Sequence, residues 1–431
     1  MFCQLEVLRH CFPSSVCHML EELPESLDET YERILREIRK PNQGHAHRLM
    51  QCLVAAARPL QVKELAEVLA VDFNAEGIPK LNLGWRWKDQ EEAVMSACSS
   101  LVMIVKDGDS RIVQFSHFSV KEFLIANRLV EPMRDVSRYH IRLEAAHTIL
   151  AQACLGVLLR LDDRVDRDNI KNFPLARYAA QYWPTHAQFE NVSSRIKDGM
   201  ECLFDAEKPQ FATWLWIYNV DRQRRSMTTM CPEKPAAFPL YYAAMLGFRD
   251  LAEHLIAERP EHVTARGGWE HTPIHIAARA GHADILSLLI EHGADVEDRG
   301  IFGQTPLHRA SWSGNPEAGR CLLDRGADVN AENNGGRTPL FRAAAGGHVE
   351  FTRMLLQRKA RVDARDNSDG RTPLYAAIVK RNTQIVRLLL EHGADVNVRD
   401  KESRTPSELG SVVGEHEILK LLSEYGVESA K

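Results

Sequence analysis

The sequence predicts a mostly α-helical protein whose C-terminal half is a solenoid of stacked helical hairpins. Five Thr-Pro dipeptides recur at intervals of 33, 33, 34 and 33 residues, from Thr272-Pro273 to Thr405-Pro406. Apolar residues in the rest of the chain recur mainly with helical spacing. The clearest β-prone pair of runs lies between Leu101 and Phe115. A fixed period of this size indicates supersecondary units that must stack on their neighbours to bury an apolar face.

Each repeat carries residues that begin, pack and end a pair of helices. In the stretch 272–282, threonine caps a helix, and proline occupies its first turn, where a missing N–H group costs nothing. Ala277-Ala278 lets two helices approach closely, and the run 288–290 gives the second helix an apolar stripe. Gly293 suits a left-handed turn. Lys359 occupies that position in the fourth repeat, at an expected cost of about 1 kcal/mol.

The repeated stretch resembles the ankyrin repeat. Thr272-Pro273-Ile274-His275-Ile276-Ala277 and Thr305-Pro306-Leu307-His308 follow the pattern T-P-L-H-x-A of that family. A degenerate first unit opens at Phe238-Pro239-Leu240, so that about six repeats fill residues 238–431. The resemblance implies a non-catalytic binding surface in which His275 and His308 are structural.

The N-terminal part predicts helices that are followed by a hairpin. Ser26-Leu27-Asp28-Glu29 forms a capping box that opens a helix. A helix over 90–101 precedes the hairpin, whose turn is expected at 106–111, and a further helix is expected over 120–129. This order indicates a winged-helix domain over residues 23–130. A helical spacer over 141–221 and a linker over 222–237 separate it from the repeats.

Two stretches make the resemblance of this domain specific. Leu23-Pro24-Glu25-Ser26-Leu27-Asp28-Glu29-Thr30-Tyr31 and Phe115-Ser116-His117-Phe118-Ser119 are similar to the GPI inositol-deacylase-type winged helix of fungal NACHT/STAND proteins. In those proteins a NACHT NTPase, a winged helix and ankyrin repeats follow one another. The resemblance implies a signalling protein that lacks its NACHT module here, with residues 1–22 as a helical remnant of an upstream module.

Composition and motifs point away from catalysis and metal binding. No Gly-Lys dipeptide exists for a phosphate loop, and no G-x-S-x-G elbow is present for a serine hydrolase. Nine scattered cysteines suggest reduced thiols, and Cys11 and Cys17 fit no common zinc spacing. We therefore expect no enzyme activity, no cofactor and no metal. Without a leader or a spanning segment, a cytoplasmic or nuclear location is expected.

His117 has two interpretations. In NACHT relatives the matching histidine faces the β-phosphate of bound ADP, so His117 is a candidate nucleotide sensor. The alternative is a partly buried histidine that only makes hydrogen bonds. Binding to DNA is disfavoured, because Glu91 and Glu92 make the helix before the hairpin acidic.

The best functional candidate is the concave face of the repeats. Large aromatic and arginine side chains dominate protein-binding hot spots. Those expected on this face or at the turn tips are Tyr242, Met245, Trp269, Ile276, Arg279, Phe302, Arg309, Trp312 and Arg342. The sequence therefore predicts a scaffold that binds a protein partner, and the three arginines favour an acidic partner segment. The alternative function is a nucleotide-regulated switch subunit, whose winged helix completes an ADP site supplied by a NACHT module elsewhere.

Overall fold

A computed structural model describes residues 26–73, 78–126, 129, 136–166, 168–218 and 237–428. The chain divides after Pro235 into two compact units. The predicted remnant 1–22 and nearly all of the predicted linker 222–237 lie outside the described residues.

The first unit contains two small sheets, one of three strands and one of two, among ten helices of the described residues. Its helices are α1 Leu27–Glu37, α2 Gln43–Ala55, α3 Val62–Val68, α4 Gln90–Cys98, α5 Phe118–Ile125, α6 Leu143–Leu158, α7 Ala176–Ala187, α8 Val192–Arg195, α9 Lys197–Leu203 and α10 Pro209–Tyr218. Its strands are β1 Leu60–Gln61, β2 Val71–Asp72, β3 Lys80–Leu81, β4 Val102–Asp107 and β5 Ser110–Phe115. Ser26 caps α1 by accepting a hydrogen bond from the backbone N–H of Glu29 at 3.2 Å.

The hairpin of β4 and β5 is the wing, and its turn is tighter than the sequence suggested. The strands pair antiparallel from Val102 opposite Phe115 to Asp107 opposite Ser110. Gly108 has a φ of 56°, which allows a two-residue connection where a six-residue turn was predicted. The two-residue strand β1 pairs with the other side of β5 and completes a three-stranded sheet. It was missed because two residues show no alternation.

The helices after the wing pack around buried aromatic rings. Trp183 on α7 lies 5.7 Å from Trp214 on α10, centroid to centroid. Phe204 lies 5.4 Å from the Trp214 ring. The indole N–H of Trp214 donates to the carbonyl of Ala180 at 3.0 Å, so this large side chain is buried with its polar atom satisfied.

The second unit is a row of six helical hairpins. The first helices of the hairpins, called inner helices here, are α11 Pro239–Leu246, α13 Pro273–Ala280, α15 Pro306–Ser313, α17 Pro339–Gly346, α19 Pro373–Val379 and α21 Pro406–Val413. The second helices are α12 Arg249–Glu258, α14 Ala283–Glu291, α16 Pro316–Asp324, α18 Val349–Gln357, α20 Thr383–Glu391 and α22 His416–Glu428. Each inner helix packs against the inner helix of the next repeat.

Buried histidines connect neighbouring repeats. His275 Nε2 donates to the carbonyl of Gln304 at 3.0 Å, and its Nδ1 lies 2.9 Å from Thr272 Oγ1. His308 repeats the arrangement with the carbonyl of Arg337 at 2.9 Å. Both imidazoles are fully buried, which confirms that they belong to the scaffold. Because each histidine spans two repeats, it fixes the spacing of the inner helices.

The expected weak point in the fourth repeat is present. Lys359 has a φ of 61°, at the position where Gly293, Gly326 and Gly393 have φ values of 93°, 94° and 83°. A residue with a Cβ atom is disfavoured in this left-handed conformation by roughly 1–2 kcal/mol. The cost remains local, because the hairpins on both sides keep regular bounds.

The buried histidines predict that stability falls on acidification. Burial lowers the pKa of His308 to about 4 from its ordinary value of 6.5. Burial, followed by the charge of neighbouring Arg309, lowers the pKa of His271 to about 3. The unfolded chain therefore binds more protons than the folded one between pH 6.5 and these values. The stabilisation is complete above pH 6.5, and we expect urea midpoints to fall steadily from pH 7 to pH 4.

Replacing His308 by Gln isolates this effect. Glutamine retains polar atoms but does not titrate. The free energy of unfolding should therefore fall less between pH 7 and pH 4 in His308→Gln than in the unchanged chain, by up to about 3 kcal/mol. Phe341 lies at the equivalent position of the next repeat, so Phe341→Leu is a control that changes stability without changing the slope. If the free energy of unfolding of His308→Gln depends on pH as steeply as that of the unchanged chain, the loss of stability on acidification does not come from His308.

Candidate partner-binding groove

Two side-chain positions on every inner helix determine what the concave face presents. Position +3 lies three residues after the helix proline, and position +6 lies six residues after it. Position +3 holds Tyr242, Ile276, Arg309, Arg342, Ala376 and Leu409 along the row. Position +6 holds Met245, Arg279, Trp312, Ala345, Val379 and Val412.

Two of the predicted contact residues are wrong, because both are buried. Tyr242 and Ile276 are each 1% exposed. At position +3 an apolar side chain sinks between neighbouring inner helices, where burial stabilises the stack. Arginine at the same position can cover apolar surface with its methylene groups and still direct its charged head toward solvent. Arg309 and Arg342 are accordingly only half-buried.

Most of the remaining predicted residues are accessible. Arg279 is exposed, Trp312 is 47% exposed, and Met245 is half-buried. Phe302 lies at a turn tip and is 60% exposed, with a left-handed φ of 61°. The backbone at Trp269 forms the preceding tip, but its side chain lies outside what the structure describes.

The arginines and Trp312 form one cluster, which we call the basic section. It comprises Arg279, Arg309, Trp312 and Arg342. The guanidinium carbon of Arg342 lies 5.2 Å from the centroid of the Trp312 ring, in a cation–π contact. Arg309 donates from Nη1 to Oε1 of Gln304 at 3.3 Å. The Nε atoms of Arg309 and Arg342 are buried and have no hydrogen-bond partner among the residues that the structure describes.

The charge of the basic section is not compensated. None of its three guanidinium groups forms an ion pair with a carboxylate of the described residues. Burial, and after it the charge of Arg279, lowers the pKa of Arg309 to about 10. Burial likewise lowers the pKa of Arg342, with Arg337 adding to the effect. Positive charge is therefore held in a partly desolvated place without an opposite charge, which costs free energy in the unbound protein.

Other arginines of the repeats form ion pairs with carboxylates, which compensate their charge. Arg337 pairs with the buried carboxylate of Asp366 at 3.1 Å. Arg404 pairs with the equally buried Asp400 at 2.9 Å, and Arg266 pairs with Asp298 at 2.8 Å. The Arg337 and Arg266 pairs connect the turns of successive repeats, whereas the Arg404 pair lies within one turn. The guanidinium groups of the basic section have no such carboxylate among the described residues.

His271 is a neighbour of the basic section that the sequence analysis did not identify. It is 2% exposed, its Nδ1 has no hydrogen-bond partner, and Arg309 and Arg279 are among the charges that depress its pKa. The sequence offered one clue: His271 directly precedes Thr272, and the matching position holds Gln304, whose side chain contacts Arg309. Its ring is tilted by 32° against the ring of His275, at 5.0 Å between centroids, so it supports the floor of the groove.

His117 is an exposed capping residue of the winged-helix domain. Its Nδ1 accepts a hydrogen bond from the backbone N–H of Ser119 at 3.3 Å and so caps α5. The hydroxyl of Ser119 lies 2.6 Å from the same nitrogen and 2.7 Å from the hydroxyl of Tyr31. The expectation that His117 is partly buried is wrong, since the helix start leaves it at the surface. Its proposed role as a nucleotide sensor stays a prediction.

The described residues contain neither a cluster suited to a metal ion nor a helix suited to crossing a membrane. Across the described residues, no group of three or more His, Cys, Asp or Glu side chains could hold a metal ion. Cys11 and Cys17 lie outside those residues. In the same part of the chain, no helix combines the length and the apolar character that crossing a membrane requires.

Comparison with known families agrees with this architecture. Residues 240–333, 330–400 and 362–430 match the family model for ankyrin repeats. The second unit is built of ankyrin repeats. Residues 31–133 match the model described as "GPI inositol-deacylase, winged helix domain". The predicted fold, a mostly α protein with a winged helix and an ankyrin-repeat solenoid, is confirmed.

Relatives with similar sequences add context. The chain is 34% identical over 294 residues to azaphilone pigments biosynthesis cluster protein L of Monascus ruber, a match that covers 64% of this chain and 61% of that protein. It is 41% identical over 64 residues to human ankyrin repeat domain-containing protein 49, covering 15% of this chain and 27% of that one. The chain thus spans less than two thirds of the length of these relatives.

The uncompensated charge of Arg309 predicts an unusual response to mutation. Replacement by Met keeps the length of the side chain and removes the desolvated charge, so Arg309→Met should stabilise the free protein by about 1 kcal/mol. Arg337→Met is the matched contrast. It leaves Asp366 buried without its partner and should destabilise by about 3–5 kcal/mol. Urea unfolding of both variants measures the difference, and a clear loss of stability in Arg309→Met would contradict our view of the basic section.

Proposed function

We propose that this chain is a non-catalytic scaffold that binds a protein partner through the concave face of its ankyrin repeats. The observation that carries the proposal is the basic section, where three neighbouring arginines have no carboxylate partner among the described residues and one of them, Arg342, contacts an accessible tryptophan. Tryptophan and arginine provide most of the energy of protein interfaces, because they combine a large buried area with polar groups. A groove formed by rigid helices loses little entropy when a partner binds.

The partner is expected to present an acidic segment. A carboxylate that approaches Arg309 or Arg342 would accept hydrogen bonds from the accessible part of the guanidinium group and offset the cost of partly desolvating its charge. A charge-assisted hydrogen bond of this kind is about twice as strong as a neutral one. Nucleic acid is a poorer candidate, since the net charge of the chain is −5.

Other features support a non-catalytic, intracellular role. Burial raises the pKa of the Cys52 and Cys98 thiols to about 12, which makes them poor nucleophiles. The cysteines of the described residues are free, as is usual in a reducing compartment. We therefore propose a cytoplasmic or nuclear location.

The wider setting is also a proposal. The resemblance to NACHT-associated winged helices suggests a STAND-type signalling system in which the repeats sense a partner and the winged helix transmits binding. The name of the Monascus ruber relative connects that protein with a pigment biosynthesis cluster. A comparable setting for this chain would place the partner among proteins encoded or regulated together with it.

Loss of the basic section should abolish partner binding without unfolding the protein. We expect Arg309→Ala with Trp312→Ala to weaken the partner by about 2 kcal/mol or more. The full chain and this variant are used as bait, and captured proteins are quantified by mass spectrometry. Calorimetry then measures the affinity of any protein that the variant loses.

The control is Arg353→Ala. Arg353 lies on the second helix α18, where its contact is with Glu350, away from the inner helices. The Arg353→Ala variant should capture the same proteins as the unchanged chain. If the double variant also captures them with equal affinity, the basic section is not the binding site.

A nucleotide-regulated switch subunit remains the second candidate, because His117 is exposed on a domain that matches the GPI inositol-deacylase winged-helix model and whose sequence resembles winged helices of NACHT proteins. On the scaffold proposal, calorimetry of the full chain with ADP should show no saturable binding at micromolar concentrations. Micromolar binding that is lost in His117→Ala, with circular dichroism unchanged, would favour the switch instead.

A further inference from the structure

The character of the concave face changes along the row of inner helices. The basic section occupies repeats two to four. In repeats five and six, position +6 holds Val379, which is 53% exposed, and Val412, which is 82% exposed. We call these two valines the apolar section. The half-buried Ala345 lies between the two sections.

The apolar section does not contribute to folding in the way that its neighbours do. At position +3 of the same helices, Ala376 is 8% exposed and Leu409 is 9% exposed, so these side chains form part of the stack. The two valines face solvent instead. A single exposed apolar residue needs no explanation. Here, however, the residues lie at equivalent positions of adjacent helices, in register with the exposed Trp312 two repeats away.

The spacing of the row fits an extended polypeptide. Packed helices lie roughly 8–10 Å apart. An extended chain in the polyproline II conformation advances about 3.1 Å per residue with three residues per turn, so every third side chain of such a segment would face the groove and meet the next inner helix. The row from Arg279 to Val412 crosses five inner helices, which corresponds to about 12 residues of extended chain.

We propose that the groove takes an extended segment in two parts, with acidic residues at about every third position against the basic section, followed by apolar residues against the apolar section. The inference rests on the proposed function, namely that this groove binds protein, and it adds the pattern and the position of the bound segment. Charge complementarity determines which half lies over Arg279, Arg309 and Arg342. A nucleic acid would satisfy the arginines but would gain nothing from two exposed valines.

The test uses the full chain and synthetic fluorescent peptides. The first peptide has glutamate at every third position of one half and leucine at every third position of the other, with serine and glycine between. The second has the same composition with glutamate and leucine alternating along its length. Fluorescence anisotropy measures binding of both, and a labelled oligothymidylate is the nucleic-acid probe. We expect the two-part peptide to bind about tenfold more tightly than the alternating one, or better.

Variants locate each half of the peptide. Arg309→Glu with Arg342→Glu, and separately Val379→Asp with Val412→Asp, should each weaken the two-part peptide about tenfold or more. Arg353→Glu changes a half-buried residue on the second helix α18, and Leu143→Asp changes an exposed residue of the first unit; neither belongs to the row, and neither should have an effect. Circular dichroism and urea midpoints confirm folding. Arg279→Glu, at an exposed position, replaces the first pair if that pair is unstable.

The outcomes separate this inference from the proposed function. If the arginine variants weaken binding and the valine variants do not, the two-part segment is wrong while an acidic partner stands. Equal binding of both peptides, or no binding of either, also overturns the two-part segment, and the pull-down with Arg309→Ala and Trp312→Ala then decides separately whether the groove binds protein. Tighter binding of the oligothymidylate overturns both.

Discussion

The hydrogen bond from a buried side chain to the carbonyl that precedes the next Thr-Pro pair is the contact on which the repeat array depends. His275 and His308 each make it with an imidazole Nε2. In the fifth repeat the hydroxyl of Tyr375 donates to the carbonyl of Arg404 instead. A single hairpin cannot bury its own apolar face, so its stability comes from the neighbour that this hydrogen bond holds in place. Because the bond is buried, an unpaired carbonyl there would carry the full cost of desolvation.

The fourth repeat shows how this constraint can be met in another way. Phe341 replaces the histidine and cannot donate to the next repeat. The guanidinium of Arg337 lies 5.1 Å from the Phe341 ring, and it also pairs with the buried Asp366 of the following turn. An ion pair therefore connects two repeats where the hydrogen bond is missing. The array accepts this exchange because only the spacing of the inner helices has to be kept.

Features that recur in every repeat could be predicted from the sequence, whereas features that depend on distant contacts could not. The repeats were evident because the Thr-Pro caps, the small residues and the turn glycines recur with a fixed period. Lys359 was identified as an exception for the same reason. The strand β1 was not predicted, because Leu60 and Gln61 are strand residues only through pairing with Val113 and Ile112, far along the chain.

The groove was predicted less accurately than the fold. Counting positions along an inner helix cannot tell whether +3 faces solvent, since the answer depends on the neighbouring helices and on the length of the side chain. Tyr242 and Ile276 therefore became buried, while Arg309 at the same position stayed half-exposed. His271 escaped notice because its importance comes from the arginines that surround it in space.

The apolar side chains at position +3 form part of the stack, but the side chains at position +6 and the arginines at position +3 of repeats three and four carry little of the packing once the backbone contacts fix the inner helices. Selection on these positions can then follow the partner instead of the fold. In the basic section, buried Nε–H groups without acceptors among the described residues and neighbouring like charges reduce the stability of the free protein. Such a loss of stability is expected where side chains are selected for binding and not for folding. A fold that was optimised only for stability would place methionine or leucine there. The cost is tolerable because it is confined to three side chains on a rigid support, and under the proposed function the carboxylates of a partner would offset part of it.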